Sequence, residues 1–324
     1  MSKFSDPLLA SIADRLDSPD SGIRRVAVLD LVDSPEAEAV ELLIQALSDA
    51  DESVRMEAAK VIDEFDPKDM MDSLVEALTS SDQNVKNAAA NALADLKDSS
   101  AAPALIEALQ QDDPFVLSSI LRSLKQFRIR DARPHALMLL KHDDASVRRE
   151  AVSVLGYLQD SENLPQLMST AASDSDTEVR RTAIGALVYA DGVQVASALI
   201  GGLNDEHWQV RVEAAKGLGR LHVVDSIESL SSATNDAMWQ VQEKAAEALG
   251  KIGSPLAIPA LAACVENPIS NLRKAVVAAV GEIAHIDGMP VVDTALDDND
   301  PDVRKLARWA KDQITANISS TEGE

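Results

Sequence analysis

The sequence predicts an all-α fold, an α-solenoid of about ten helix–turn–helix repeats of 31 residues. The first observation is an aliphatic anchor residue that recurs every 31 residues, with a single gap of 32. The second is an apolar residue at +4 from each anchor and at +8 from all but the last, which is one stripe of an α-helix rather than a strand. The third is a composition with 46% hydrophobic but only 3% aromatic residues, which suits close packing of alanine-rich helices. The anchors are Ile23, Val54, Val85, Val116, Val147, Val179, Val210, Val241, Leu272 and Val303.

Each anchor lies on the second helix of its repeat. Position +4 is alanine in eight of ten repeats, so a neighbouring helix can approach closely. Glycines at +9, such as Gly219 and Gly250, are predicted to end second helices. Prolines such as Pro103 and Pro290 fall near the start of first helices, where a missing N–H costs nothing. Aspartates three residues before the anchor are predicted to cap the second helices: Asp20, Asp51, Asp82, Asp113, Asp144, Asp176 and Asp300.

The unbroken repeat predicts one body over residues 1–314, because each repeat contacts only its neighbours along the array. Asp6 and Pro7 are expected to provide the cap and first turn of the opening helix. Residues 315–324 are polar and are expected to form a frayed C-terminal tail.

Charge and composition exclude several classes of function. The net charge is −24, which argues against non-specific nucleic-acid binding, because that requires Lys and Arg to neutralise phosphates. There is no apolar leader and no run of 18 apolar residues, so we expect a cytoplasmic protein without a membrane span. Cys264 is the only cysteine, which excludes an internal disulfide and a Cys-based metal cluster.

The segments Asp205–Gly219 and Trp239–Leu261 carry the most specific pattern in the chain. They resemble the HEAT-like repeat of the phycocyanobilin-lyase (E–Z) type. The resemblance implies a helical solenoid and two classes of function, which are a scaffold or assembly factor without chemistry and a lyase that attaches a bilin to a partner protein. Deoxyhypusine hydroxylase resembles the same fold but needs His-Glu dipeptides for iron, and this sequence contains none.

The sequence offers no catalytic or metal-binding constellation. The five histidines lack the i, i+3 or i+4 spacing of helical metal ligands. The run Asp297–Asp302 resembles a calcium loop in its alternate carboxylates, but it lacks the required glycine and the glutamate at the twelfth position. We therefore predict no metal, no cofactor and no catalytic residues.

Two basic sets on the second helices have different interpretations. Position +1 is Arg or Lys in eight of ten repeats, and an acidic residue at −5 recurs as Asp49, Asp174, Asp205, Asp236 and Asp298. This regularity favours a structural ladder between repeats. Positions +2 and +6 point away from the buried stripe and are predicted to line a concave groove, where eight residues are basic and two acidic. That irregular set fits partner recognition, and a merely solvated groove is the alternative.

Paired aromatic residues and one basic patch complete the candidate site. Trp208 and Trp239 both lie at −2 in adjacent repeats, where they either anchor a partner or cover the adjacent turn. The segment 125–133 holds four basic residues, which indicate either a docking site for an acidic segment or an irregular joint. The predicted binding residues are Trp208, Trp239, His207, Arg122, Arg149, Arg181, Lys216, Arg128 and Arg130.

The sequence thus predicts a non-catalytic scaffold or assembly factor that binds a partner protein in its concave groove, without nucleic acid or membrane as partners. The alternative is a bilin or tetrapyrrole lyase, or a chaperone that handles such a chromophore.

Overall fold

The computed structural model describes residues 4, 6–33, 37–65 and 67–321, and all regular structure in them is helical. The chain divides into two compact units, Met1–Leu158 and Gln159–Glu324. Each unit is a stack of helical hairpins, in which a first helix and a second helix pack antiparallel and bury their apolar stripes together. The fold class is that of the α-solenoid.

The first unit contains five hairpins whose first helices are odd-numbered and whose second helices are even-numbered. Short 3-10 turns at Leu31–Asp33, Ile62–Glu64, Ser99–Ala101 and Arg130–Ala132 connect one hairpin to the next. Its helices are α1 (Pro7–Leu16), α2 (Ser21–Asp30), α3 (Ala37–Leu47), α4 (Glu52–Val61), α5 (Pro67–Ala77), α6 (Gln83–Asp95), α7 (Ala102–Ala108), α8 (Pro114–Phe127), α9 (Arg133–Leu139) and α10 (Ala145–Leu158).

The second unit repeats this plan with five further hairpins. Its 3-10 turns are Ser161–Asn163, Val224–Ser226, Pro255–Ala257 and Ile286–Gly288. Its helices are α11 (Leu164–Ser173), α12 (Thr177–Leu187), α13 (Gly192–Gly202), α14 (Trp208–Arg220), α15 (Ile227–Ala233), α16 (Trp239–Ile252), α17 (Ile258–Ala262), α18 (Ser270–Ile283), α19 (Met289–Leu296) and α20 (Pro301–Thr321).

The predicted apolar stripe forms the core. The +4 residues of all ten repeats and the +8 residues of the first nine are buried, and eight of the ten anchors are buried as well. Val85 is half-buried, and Ile23 is 46% exposed on α2. The described residues contain no hairpin before α2 that would cover Ile23.

The predicted caps are confirmed. All seven aspartates accept a hydrogen bond from the backbone N–H two residues later, at 2.7–2.9 Å. Asp6 caps α1 in the same way, and Pro7 begins that helix. The side-chain oxygens thus satisfy N–H groups that a helix leaves without an internal partner.

The ladder at +1 is confirmed for four pairs. The Nε and Nη2 of each arginine donate to the two carboxylate oxygens of an aspartate 25 residues later, at 2.6–3.0 Å. The Nη1 also donates to the backbone carbonyl six residues before the arginine. Each arginine therefore joins the turn of its own hairpin to the turn of the next. The pairs are Arg24–Asp49, Arg180–Asp205, Arg211–Asp236 and Arg273–Asp298.

The prediction that the +9 glycines end their helices is wrong. Helices α14, α16 and α18 continue past Gly219, Gly250 and Gly281. A Cβ at Gly219 would lie 2.7 Å from the Cα of Ala248 on the next second helix, so glycine is required for close approach of the two helices. The helices end instead near +12, where a residue adopts the left-handed conformation: Arg128, Gln159, His222, Gly253 and Ala284.

The C-terminal boundary also differs from the prediction. Helix α20 continues to Thr321, so residues 315–321 are helical, and 322–324 lie outside the described residues. Ile314 is fully buried, and the Asn317 side-chain amide donates to the Ala284 carbonyl at 2.9 Å. These two contacts hold the extra helical turns against the preceding hairpin. The single body predicted over 1–314 stays a prediction.

Candidate partner-binding surface

Within each unit, the +2 and +6 positions of the second helices form the surface that we call the outward face of that unit. Of these twenty residues, Ser118 alone is buried, at 7% exposure, and the others are exposed or half-exposed. This arrangement follows from the buried stripe, because +2 and +6 lie about 180° around a helix from the stripe centre. The predicted binding residues on these positions are therefore accessible to a partner.

In the first unit, the outward face carries a cluster of basic side chains around one buried carboxylate. Glu150 of α10 is 5% exposed. Lys125 Nζ of α8 lies 3.2 Å from Glu150 Oε2, while Arg149 Nη2 and Arg122 Nε lie 3.4 and 4.0 Å from Oε1. We call these four residues the basic cluster. Three cations share one carboxylate, so the cluster keeps a positive excess.

The exposure of the cluster makes that excess available to a ligand. The side chains of Arg122 and Arg149 are 43% and 38% exposed. Helix α8 contains no acidic residue, and Glu150 is the only one on α10. This face therefore attracts carboxylates, although the chain as a whole carries a net charge of −24.

The patch after α8 has the same backbone plan as other hairpin junctions. Arg128 ends the helix with φ 51°, as Ala284 does with φ 50° at the end of α18, and a 3-10 turn follows in both places. The Arg128 guanidinium lies 5.8 Å from the centre of the Tyr157 ring. Arg130 is exposed in the 3-10 turn. The junction is therefore not an irregular joint.

In the second unit, the predicted cations have local partners. Arg181 donates to Glu178 Oε2 at 2.6 Å, and Lys216 Nζ lies 3.6 Å from Glu213 Oε2. The hydrogen bond to Glu178 raises the pKa of Arg181. Each cation is paired with a glutamate one turn earlier on its own helix, so these positions carry less net positive charge than the basic cluster.

The two tryptophans are the first residues of α14 and α16. Trp208 is half-buried, and Trp239 is 36% exposed. The side-chain Oε1 atoms of Gln209 and Gln240, which follow them, are buried without a hydrogen-bond partner among the described residues. Whether the indoles anchor a partner or cover the adjacent turns stays a prediction.

His207 lies beside the ladder rather than in a separate site. Its Nδ1 is 3.2 Å from Arg180 Nη2 and 3.4 Å from Glu206 Oε1. His207 is also the N-cap residue of α14, and its side chain makes no capping hydrogen bond. It occupies the position where seven other repeats have a capping aspartate.

Glu150 belongs to the site, although the sequence prediction did not include it, and Lys125 was predicted only as part of the basic segment 125–133. The contact between the two was not predicted. Their spacing of 25 residues equals that of the ladder pairs and was the available signal. The signal was weak because a lone glutamate on an Arg-rich helix is ordinarily a solvated residue.

The described residues lack two kinds of functional feature. No group of three or more His, Cys, Asp or Glu side chains is arranged to hold a metal ion. No described helix combines the length and the apolarity needed to cross a membrane.

Comparison with protein families places five overlapping matches on the chain. The matching family is described as HEAT repeats, and the matched residues are 9–94, 40–125, 71–146, 133–205 and 196–279. No curated protein matches the chain.

Solved structures show the same fold at low identity. Kap95p, in a complex with RanGDP, is 15% identical with a TM-score of 0.61, and the match covers 94% of this chain and 49% of Kap95p. An engineered protein is 22% identical with a TM-score of 0.50, covering 96% and 99%. The Escherichia coli protein YibA is 17% identical with a TM-score of 0.52, covering 97% and 99%. The chain thus spans about half the length of Kap95p and nearly all of the other two.

Proposed function

Because the chain belongs to the HEAT-repeat family, we propose that it is a non-catalytic interaction scaffold or assembly factor that holds a partner protein on its outward face. The observation that carries this proposal is the basic cluster, in which Arg122, Lys125 and Arg149 surround Glu150 on helices α8 and α10, which contain no other acidic residue. Kap95p, a structural neighbour, is described as binding RanGDP, and protein binding by a stack of helical hairpins supports the same role here.

The electrostatics favour an acidic contact surface on the partner. Arginine pairs with carboxylates through two parallel N–H groups, and such hydrogen bonds are about twice as strong as neutral ones. Glu150 holds the three cations in place, so a partner carboxylate meets side chains that are already ordered. The rest of the chain is acidic and repels an acidic partner, so such a partner is favoured only when its carboxylates face the basic cluster.

The second unit contributes apolar and polar contacts in this proposal. Trp208 and Trp239 supply apolar anchors, with His207 beside the first of them, and Arg181 and Lys216 exchange their own glutamates for partner carboxylates. These five positions are those expected from the sequence, and they are at least partly accessible. We expect this half to add affinity and the basic cluster to set the preference for acidic partners.

A pull-down from cells that produce the protein tests the proposal. The variant Arg122→Glu/Arg149→Glu is compared with the wild type and with Lys97→Glu/Lys141→Glu, which makes the same charge change at exposed turn positions of the same unit. We expect at least one partner to be lost only with the arginine variant. Equal recovery of every partner by all three proteins would remove the outward face from consideration.

The finer resemblance to bilin lyases supports a second candidate, in which the exposed indole of Trp239 packs against a tetrapyrrole. Mixing the protein with a bilin and recording the visible spectrum tests it. A saturable red shift that disappears in Trp239→Ala supports the chromophore, and an unchanged spectrum leaves the scaffold.

A further inference from the structure

The second unit exposes a row of large aliphatic side chains along one edge. Val193, Val224, Leu256 and Ile286 are 88%, 62%, 78% and 51% exposed. Each lies 14 or 15 residues after its anchor, in the segment that leads from one second helix into the next first helix. Single exposed aliphatic residues are common on protein surfaces, but four at one register in successive repeats are not accounted for by that background.

The row is confined to repeats six to nine. In repeats one to five, the residues 14 after the anchor are Ala37, Lys68, Ser99, Arg130 and Ser161. The fold places all these segments at equivalent points of a hairpin, so the fold itself does not demand an aliphatic side chain there. We call Val193, Val224, Leu256 and Ile286 the aliphatic edge.

The backbone presents these side chains rigidly. The N–H of Val193 donates to Asp191 Oδ1 at 2.9 Å. The turn at Val224 is closed by Ser226, whose Oγ donates to the Val223 carbonyl at 2.6 Å and which is fully buried. Little conformational entropy therefore remains to be lost when a ligand covers the row.

Acidic side chains alternate with the aliphatic ones. Asp191, Asp225 and Asp287 each lie within two residues of an edge aliphatic, and all three are exposed. Asp287 also lies 3.3 Å from His285 Nδ1. A ligand that covers the edge therefore meets apolar contacts flanked by negative charge.

The nearby basic side chains are already engaged. The Arg220 guanidinium lies 5.3 Å from the centre of the Tyr189 ring. Lys251 attracts the carboxylate of Glu282. The edge therefore keeps its acidic character, and it is poorly suited to anionic lipid headgroups.

Spacing defines the shape of the ligand. Adjacent second helices pack about 8–10 Å apart, so four successive repeats set out their aliphatic residues over about 25–30 Å. An α-helix repeats one face every seven residues, which is about 10.5 Å. We propose that the aliphatic edge is a docking surface for a basic amphipathic helix of a partner protein, with an apolar residue at every seventh position and Lys or Arg beside it. This surface is separate from the basic cluster and adds a second binding site to the proposed scaffold.

A designed peptide tests the proposal directly. The probe is a fluorescein-labelled helix of about 21 residues with leucine at every seventh position and lysine on both flanks. Titrating the full chain into the probe is expected to raise its fluorescence anisotropy to saturation. The variant Val193→Ser/Val224→Ser/Leu256→Ser/Ile286→Ser should bind at least about tenfold more weakly, since each lost apolar contact contributes to the affinity.

Matched controls distinguish binding at the aliphatic edge from non-specific hydrophobic binding. The variant Leu8→Ser/Ile23→Ser/Val26→Ser/Met138→Ser removes four apolar residues of the first unit that lie off the outward face and are 38–61% exposed, and it should bind the probe as the wild type does. A probe with glutamate in place of lysine should bind more weakly. Circular dichroism confirms that both serine variants are folded, which is expected because all eight positions lie at the surface.

Three results would overturn the proposal. The first is equal binding, or no binding, of the lysine probe by the wild type and the edge variant. The second is sedimentation of the wild type, but not the edge variant, with phosphatidylcholine vesicles when the probe does not bind, which would assign the edge to a lipid surface. The third is a wild-type dimer that the edge variant abolishes, which would assign it to a second copy of this chain. The Arg122→Glu/Arg149→Glu variant should leave probe binding unchanged. Failure of the aliphatic-edge proposal would therefore not count against partner binding at the basic cluster.

Discussion

Replacing Arg211 with glutamine and Asp236 with asparagine, singly and together, probes the arginine–aspartate ladder. Both side chains are 13% exposed and share two hydrogen bonds of 2.7 and 2.8 Å. The Arg211 Nη1 also donates to the Asp205 carbonyl at 2.8 Å. Removing one member of a buried pair costs about 3–5 kcal/mol, because the other charge is left without compensation. We expect each single variant to lose about 3 kcal/mol of unfolding free energy.

The double variant should lose much less than the sum of the singles. The chain already contains a neutral version of this pair at the next junction, where Gln242 and Asn267 occupy the positions of arginine and aspartate. The Asn267 Oδ1 accepts from the Ile269 N–H at 3.0 Å, as Asp236 Oδ1 does from Met238 at 2.8 Å. We therefore expect a coupling energy of at least about 2 kcal/mol between the two substitutions.

Urea unfolding followed by far-UV circular dichroism measures all four proteins. The reverse exchange, Gln242→Arg/Asn267→Asp, serves as the matched variant, since it should create a ladder pair where none exists. Additive losses in the Arg211 and Asp236 cycle would refute the conclusion that the two charges stabilise each other across the hairpin junction.

Four other predictions follow from local geometry. Ala284→Gly should raise the unfolding free energy by about 0.5–1 kcal/mol in urea melts, because alanine at φ 50° is strained and glycine is not. Gly219→Ala should lower it by about 1–3 kcal/mol, since the new Cβ would overlap the Cα of Ala248. Glu150→Gln should cost about 1–3 kcal/mol and strengthen binding of a deca-glutamate peptide in an anisotropy titration, because three cations lose their shared carboxylate. The fourth concerns pH: a hydrogen bond from Arg273 lowers the pKa of Asp298 in the folded protein. The stabilisation that the Asp298 carboxylate gives the fold should therefore be complete above about pH 4 and be lost as the pH falls further. In urea melts over a series of pH values, Asp298→Asn should reduce the loss of unfolding free energy at acid pH.

The pH prediction extends to the other ladder carboxylates. Burial alone would raise the pKa of Asp236, but hydrogen bonds from Arg211 and the Met238 N–H outweigh burial and lower that pKa. The pKa of Asp49 is also lowered, mainly because its carboxylate accepts hydrogen bonds from Arg24. A carboxylate whose pKa is lower in the folded state stabilises the fold above its unfolded pKa and ceases to do so as protons bind.

The sequence predicted the features that recur at a fixed spacing along the chain. Asp51 and Asp82 could be predicted as caps because a short carboxylate at a helix start has one dominant use. The ladder was predictable because the spacing of Arg211 and Asp236 recurs in other repeats.

Features that depend on contact between neighbouring helices could not be predicted. A glycine such as Gly219 has two uses, as a helix end and as a place of close helix approach, and only the position of Ala248 distinguishes them. The residues of the aliphatic edge, such as Val193 and Leu256, are of the types found in a protein core. Only their exposed fractions in the structure show that they lie at the surface.

The pairing of charges was the hardest feature to anticipate. From the repeat register alone, Arg122 and Arg181 are equivalent basic positions on the outward face. In the structure, Arg181 has its own glutamate on the same helix, whereas Arg122 shares Glu150 with two other cations. The difference arises from residues one turn away or one hairpin away, which a count of basic residues does not include.

Photo-cross-linking from the outward face tests the central claim most directly. A photoreactive residue is introduced at Ser153 of α10, which is half-exposed beside the basic cluster, and separately at Glu107 of α7, an exposed first-helix position in the same unit. Irradiation of cells that produce the protein should yield a covalent protein adduct from position 153 and not from position 107. Adducts from position 107 alone would contradict the assignment of partner binding to the second helices.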